Sequence, residues 1–242
     1  MDIVPLQPAD YQSIVFFTGA GMSAESGIPT YRGKGGIWTK YNWEQVACEE
    51  AFRRDPVQVL TFHRERRLGV AACRPNSGHH VIAALAQQHP RVCVVTQNID
   101  GLHGQAGSDR VIELHGSLWR LRCPRDGRRL EINPDSDYPD RCECGAWLRP
   151  DIVWFGDNLD QDVIDLAMEA LAGCDLFVSV GTSGTVWPAA GLPKIARRNG
   201  AYSLEINPEA IENSRLYDQA YRAPATQVLP RLFPSATGSV RA

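Results

Sequence analysis

Residues 13–24 read Ser13-Ile14-Val15-Phe16-Phe17-Thr18-Gly19-Ala20-Gly21-Met22-Ser23-Ala24. An apolar run with no polar alternation is the pattern of a strand buried on both faces, as in a parallel sheet. The turn that follows fits G-x-G-x-x-G/A, the dinucleotide fingerprint. Glycines permit a tight turn and close backbone approach, and a following helix N-terminus attracts pyrophosphate. Taken alone, the same glycines also suit a purely structural turn, so the context decides.

That context alternates. Further strands are expected at Arg91–Thr96, Val111–Leu114, Leu176–Val180 and Tyr202–Ile206, with a weaker one at Thr226–Leu229. Between them lie helical patterns: a helix capped by Ser77 and running to Gln88, the amphipathic Gln161–Leu171, and Ala189–Arg198 ending at Gly200. Strands alternating with helices predict an α/β, doubly wound parallel sheet. Two stretches interrupt it. Residues 33–76 hold no strand but do hold a helix, Asp55–Gly69, with Pro56 in its first turn. Residues 117–150 are rich in Pro, Gly, Asp and Arg. We therefore expect a Rossmann-like domain from 1–32, 77–116 and 151–242, and a small second domain from 33–76 and 117–150.

The bulk properties set the class. A chain of 242 residues, 43% hydrophobic and 22% charged, is long enough for one core with an insertion. A formal charge of −3 gives no electrostatic case for nucleic acid or an anionic membrane. Met1 to Thr18 has neither a basic n-region nor a spanning apolar run, so neither a signal peptide nor a membrane span is expected there. Seven cysteines are an odd number. Cys48, Cys73, Cys93 and Cys174 are scattered, which suits reduced thiols in a cytoplasmic protein.

A hydride-transferring enzyme would add a second strand ending in an acid about 20 residues after the glycine loop. Glu44 stands near that distance but follows Gly35-Gly36-Ile37-Trp38-Thr39-Lys40-Tyr41-Asn42-Trp43, which is no buried strand. Instead the loop continues through Glu25-Ser26-Gly27-Ile28-Pro29-Thr30-Tyr31-Arg32 into the glycine-rich Gly33-Lys34-Gly35-Gly36, a flap suited to closing over a cofactor. Polar residues follow the next two strands: Gln97-Asn98-Ile99-Asp100-Gly101-Leu102-His103, then His115-Gly116. Singly, Asp100 reads as a helix cap and His115 as a core histidine. Together at successive strand ends, where doubly wound sheets bind ligands, Asn98, Asp100 and His115 converge beside the glycine loop.

Gly19–Arg32 (GAGMSAESGIPTYR), Thr96–Gly107 (TQNIDGLHGQAG), His115-Gly116, Trp154-Phe155-Gly156 and Gly181-Thr182-Ser183 resemble, in order, the signature motifs of the sirtuin family, NAD-dependent protein lysine deacylases. The resemblance implies that an acyl-lysine oxygen displaces nicotinamide from NAD and that His115 then acts as general base on the ribose. The products would be free lysine and O-acyl-ADP-ribose. Histidine suits the step because its pKa lies near operating pH. Asn98 and Asp100 would orient the ribose and the nicotinamide amide. The implied cofactor contacts are Gly19, Ala20, Gly21, Ser23 and Glu25; Ile28, Pro29, Tyr31, Arg32 and Trp38; Gln97, Asn98, Ile99 and Asp100; Gly181, Thr182 and Ser183; Asn207 and Glu209. Ala225 joins them through backbone alone, where the plain alternative is a loop alanine.

Val153-Trp154-Phe155-Gly156 and Val186-Trp187 resemble the two edges that sandwich an extended substrate peptide by strand addition, although Trp187 and Phe155 also fit a core. One branch of the family, favouring succinyl or malonyl lysine, carries Tyr-x-x-Arg with a small Ala upstream. Here the counterparts are His63, Arg66 and Ala47, so His63 departs from that pattern while remaining able to donate a hydrogen bond. Arg66 offers a bidentate fork to a carboxylate, unless Arg64, Arg66 and Arg67 form a solvated helix face. Cys123, Cys142 and Cys144 have nearly the spacing of a zinc ribbon. Asp126 stands where a fourth cysteine is usual, and either completes a structural site or marks a degenerate one. Two other functions stay open: an NAD glycohydrolase or ADP-ribosyltransferase, and a non-catalytic acyl-lysine reader.

Overall fold

A computed structural model describes residues 2–33, 35–134 and 138–239. Lys34 of the flap and residues 135–137 of the second insertion lie outside these. The strands are β1 (Ile14–Thr18), β2 (Val92–Thr96), β3 (Val111–Glu113), β4 (Gly116–Arg122), β5 (Arg129–Glu131), β6 (Arg149–Ile152), β7 (Leu176–Val180), β8 (Tyr202–Ile206) and β9 (Gln219–Tyr221). The helices are α1 (Trp43–Val46), α2 (Glu49–Arg54), α3 (Pro56–Ala71), α4 (Ser77–Gln88), α5 (Leu102–Gln105), α6 (Gln161–Ala172), α7 (Leu192–Arg198) and α8 (Ala225–Leu232).

Six strands form one parallel sheet in the order β3-β2-β1-β7-β8-β9. β1, β2 and β7 are buried throughout, which is why their sequences show no polar alternation. Alternate residues feed two cores. Ile14, Phe16, Val94 and Val178 meet Ile82 and Leu85 of α4 and Val228 and Leu229 of α8. On the other face Val15, Phe17, Val95 and Phe177 meet Leu171 of α6 and Ala196 of α7. The chain winds outward from β1 to β3, then returns to place β7 on the other side of β1. The β1/β7 boundary is therefore the topological switch point, where such sheets open a crevice.

A second, antiparallel sheet, β5-β4-β6, and helices α1 to α3 form the small second domain. The helices pack Val46, Phe52, Leu60, Phe62 and Val70 with Leu118 and Trp154, whereas Leu121, Ile132 and Leu148 surround the cysteines.

Some local expectations are corrected. Asn76, not Ser77, caps α4: its side chain accepts from the N–H groups of Gly78 and His79, and His79 Nδ1 accepts from the Asn76 N–H. Thr226–Leu229 belongs to α8, because Val228, Leu229 and Leu232 lie on one buried helical face; the sixth strand is β9. Residues 189–198 begin as a 3₁₀ turn, Ala189–Gly191, with α7 starting at Leu192 and Pro193 in its first turn. The glycine loop leads not into an α-helix but into two 3₁₀ turns, Ala20–Met22 and Ala24–Ser26. Among the described residues no strand lies between β1 and β2, so the dehydrogenase acid has no scaffold, and Glu44 is exposed on α1.

Candidate active site

A cleft of about 1430 Å³ opens at the carboxyl edge of the large sheet, beneath the small domain. Ordinary small-molecule pockets span about 300–1,000 Å³, so it has room for more than one ligand.

Its base is made by two loops in backbone contact. Gly21 N–H donates to Gly181 O (2.9 Å), and Gly19 N–H to Val180 O (3.0 Å). A Cβ on Gly21 would lie 2.6 Å from Gly181 Cα, and Gly181 holds φ +62°, so side chains are excluded at both positions. The glycines are therefore required first by this loop-to-loop packing. Asn207 Nδ2 reinforces it by donating to Thr182 O (2.8 Å).

The polar cluster divides by depth. His115, just after β3, and Asn98, after β2, both line the cleft. His115 Nδ1 lies 2.9 Å from Gln97 O. A carbonyl only accepts, so Nδ1 carries the proton and Nε2 is the basic nitrogen. Burial lowers the pKa of His115, partly opposed by that hydrogen bond, and so favours the neutral, proton-accepting ring. Asn98 Nδ2 donates to Gly19 O (3.0 Å) and Ser23 Oγ (3.2 Å), tying β2 to the glycine loop.

Asp100 lies one layer below. It accepts from Ser23 Oγ (2.7 Å) and from the Leu102 N–H (2.9 Å), the cap that a plain reading of the sequence allows. Burial raises its pKa, opposed by the Leu102 and Ser23 hydrogen bonds. Sequence reasoning missed the histidines beneath this layer. His79 Nε2 lies 3.5 Å from Ser23 Oγ, His103 Nε2 lies 2.9 Å from Thr18 Oγ1, and the two rings are 4.8 Å apart. Burial holds them neutral, with pKa values of about 2 and about 4. The capping-box position of His79 was the signal available.

The cleft is also lined by Ala20, Glu25, Tyr31, Arg32, Trp38, Gln97, Ile99, Thr182, Ser183, Asn207 and Glu209. Four sequence candidates besides Asp100 do not line it. Ser23 is fully buried within the hydrogen-bond layer, Ile28 belongs to the small-domain core, Pro29 is exposed, and Ala225 is buried as the first residue of α8. Glu25, besides lining the cleft, accepts a hydrogen bond from Thr226 at the start of that helix.

Two candidate peptide edges line the cleft, the first extended and beside His115, the second a bend and turn at Val186 and Trp187. Val153 N–H donates to His115 O (3.0 Å) and Phe155 N–H to Ala47 O (3.0 Å), so the first edge is registered against the basic residue. The second, Val186 with the 68% exposed Trp187, faces the same cleft.

His63 and Arg66 of α3 both line the cleft, beside Ala47 and Phe62. His63 does not act as a donor through Nε2, which accepts from Trp154 Nε1–H (3.1 Å), and burial next to Arg67 and Arg149 pushes its pKa down to about 3. Arg66 forms no ion pair among the described residues and sits 5.8 Å from the Tyr31 ring. The solvated-face alternative fails for Arg67, which is buried against Tyr138, and holds for Arg64, which pairs with Asp140 at the exposed surface.

Remote from the histidine, the candidate metal ligands of Cys123, Asp126, Cys142 and Cys144 all lie within 4.8 Å of one another. Cys123 Sγ and Cys144 Sγ are 3.5 Å apart, and Cys142 Sγ is 3.3 Å from Asp126 Oδ2. A tetrahedron with zinc–sulfur bonds of about 2.3 Å has donors about 3.8 Å apart, so three thiols and one carboxylate fit a structural zinc.

Fold and site together define a dinucleotide-binding enzyme of the doubly wound class, with its cleft between two domains. Residues 19–188 match the Sir2 family, and the chain belongs to that family. It is 43% identical over 224 residues to a protein of Aquifex aeolicus (strain VF5) named NAD-dependent protein deacylase, covering 91% of this chain and 94% of that one. A crystal structure of a Sir2 homolog–NAD complex matches with a TM-score of 0.88 at 39% identity, over 97% of this chain and 93% of that chain. The complex of a histidine-to-alanine Sir2 variant with deacetylated p53 peptide and 3′-O-acetyl ADP ribose matches with a TM-score of 0.84 at 31% identity, over 94% and 95% of the two chains.

Proposed function

We propose that this chain removes acyl groups from protein lysines at the expense of NAD, releasing nicotinamide, O-acyl-ADP-ribose and free lysine. The observation that carries this reading is His115, with Nδ1 protonated against Gln97 O and Nε2 basic, in one cleft with the paired glycine loops and the two peptide edges. When bound, NAD supplies an electrophilic ribose carbon with nicotinamide as leaving group. Gly19 to Gly21 and Gly181 to Ser183 would hold its phosphates and ribose, with Asn207 and Glu209 on the adenosine side. Asn98 would orient the nicotinamide ribose. Asp100 would act from beneath, by fixing Ser23 and the turn that carries Asn98. His115 Nε2 would take the ribose hydroxyl proton. Val153 to Gly156 and Val186 to Trp187 would pair with an extended acyl-lysine peptide.

Arg66 supports a finer reading. A guanidinium in a cleft wall, without an ion pair among the described residues and beside the small Ala47, suits succinyl and malonyl groups as well as acetyl. We further assign the cysteine cluster to structural zinc, with residues 33–76 and 117–150 as the small domain around the acyl channel.

The test is a panel of acetyl, malonyl, succinyl and longer acyl peptides with NAD, read by mass spectrometry. Acyl-dependent nicotinamide release with O-acyl-ADP-ribose is expected. Nicotinamide release without peptide would point to a glycohydrolase, and none under any condition to a reader.

A further inference from the structure

Trp154 is held by Arg149 and Asp157, which no motif predicts, and by His63. Across its face lies the Arg149 guanidinium, 3.5 Å from the ring centroid. Its indole N–H donates to His63 Nε2 (3.1 Å), with the two rings within 19° of parallel. Its backbone N–H donates to Asp157 Oδ2 (3.1 Å).

Arg149 joins these elements. It is 3% exposed and donates through Nη1 to Glu49 (2.8 Å) and through Nη2 to Asp157 (2.7 Å) and Ile152 O (3.1 Å). Glu49 opens α2, two residues after Ala47, which accepts from the Phe155 N–H. One planar cation thus braces the peptide edge, the helix beside the acyl channel and the channel's indole wall. A buried guanidinium with two carboxylates has the fork geometry that a lysine cannot reproduce. Arg122, 3.7 Å from Asp157, helps balance the charge.

We propose that Arg149 is a positioning residue for the acyl-lysine, holding the face of Trp154 while His63 Nε2 holds its indole N–H, so that Nε2 of His63 serves this clamp and Arg66 faces the acyl tail. The proposal rests on the deacylase reading for its ligand, but the clamp has its own physical signature. Arg149 does not line the cleft; it acts through Trp154 and Asp157.

Two measurements decide it. In Arg149→Gln, KM for the acyl peptide should rise about tenfold at saturating NAD, with KM for NAD and kcat within about twofold. Arg149→Lys should recover only part of this loss. Hydrogen exchange without substrate should show faster exchange at the Trp154–Asp157 amides in Arg149→Gln, with β1 and β2 unchanged. Removing one member of a buried pair can prevent folding. Asp157→Asn, which keeps the shape, should then give the same peptide-selective change, about threefold. Equal rises in both KM values, full rescue by lysine, or unchanged exchange at Trp154–Asp157 would overturn the proposal. A wild-type enzyme that processes no acyl peptide would instead defeat the deacylase reading, and the exchange result would still decide the clamp.

Discussion

The floor and the roof of the cleft are stabilised in different ways. Below, Thr18, Ser23, His79, Thr96, Asn98 and His103 are short or neutral polar groups, buried and hydrogen-bonded around a single carboxyl, Asp100. Above, Arg64, Arg120, Arg122, Arg129 and Arg149 are paired with Glu49, Asp140, Asp151, Asp157 and, at the end of β3, Glu113. The floor joins the last residues of β1 and β2, Thr18 and Thr96, and the loops that follow them to His79 of α4 and His103 of α5, so elements packed on the sheet set their geometry. The roof has no large sheet beneath it and is tied by long charged side chains and a cluster of thiols. Such a division suits fixed chemistry below and adjustable substrate selection above.

The largest effect that would break this division is at His115. His115→Ala should lower turnover about a thousandfold, the scale of a lost general base, while leaving thermal stability and NAD binding close to wild type. Nicotinamide release and calorimetric NAD titration would check it. Turnover within about tenfold of wild type would mean that the floor is not where the chemistry occurs.

Stability against pH comes next, because buried neutral histidines occur in both regions. His79 and His103 in the floor are depressed to about 2 and about 4, and His63 in the roof to about 3, all by burial. In the unfolded chain each has an ordinary pKa near 6.5. Between 6.5 and these values the unfolded state therefore binds more protons, and stability present above pH 6.5 is lost as pH falls. Each contributes about 1 kcal/mol per pH unit in that window. Melting temperature should fall steadily from about pH 7 to about pH 5. His79→Gln and His103→Gln should flatten the dependence contributed by the floor, and His63→Gln that of the roof. A melting temperature flat over this range would remove the argument.

Legibility in the sequence follows the same line. Strands β1, β2, β7 and β8 and helices α3, α4 and α6 are readable because period is a local signal; the cleft-lining places of Asn98 and His115 follow from strand ends, whereas Arg66 enters only through the family resemblance. The layering of Asp100 beneath Asn98 is not, since both follow one strand and only Ile99 stands between them in the chain. The His63–Trp154 hydrogen bond spans 91 residues, and Arg149–Glu49 spans 100. Pairing at that separation depends on how two insertions dock, which no local pattern encodes. Thr226–Leu229 misleads because Thr226 and Val228 alternate as in a strand, although in the helix only Val228 and Leu229 reach the buried face.

The cysteine cluster tests whether the roof needs a metal that the floor does not. Asp126 Oδ1 already accepts from the Arg128 N–H (2.9 Å), which leaves Oδ2 toward Cys142. Asp126→Ala should weaken zinc retention by more than the roughly 10–100-fold that loss of an outer partner costs. NAD affinity should hold. Metal analysis after dialysis against a mild chelator would check it, and undiminished zinc would exclude the carboxylate as a ligand.

The smallest effect expected is the most selective. Arg66 contributes no ion pair to the roof among the described residues, unlike Arg64 and Arg149, so its removal should leave the fold intact. Arg66→Ala should raise KM for succinyl peptide about tenfold, near 1.4 kcal/mol, as befits one charge-assisted contact in a partly open cleft. Acetyl peptide, which has no carboxylate, should change less than about twofold in the same comparison. Adding salt should weaken succinyl binding in the wild type more than in the variant, because the interaction removed is between charges partly exposed to solvent. Equal losses on acetyl and succinyl peptides would assign Arg66 to the general architecture of the roof, and adjustable selection would then lie elsewhere in the small domain.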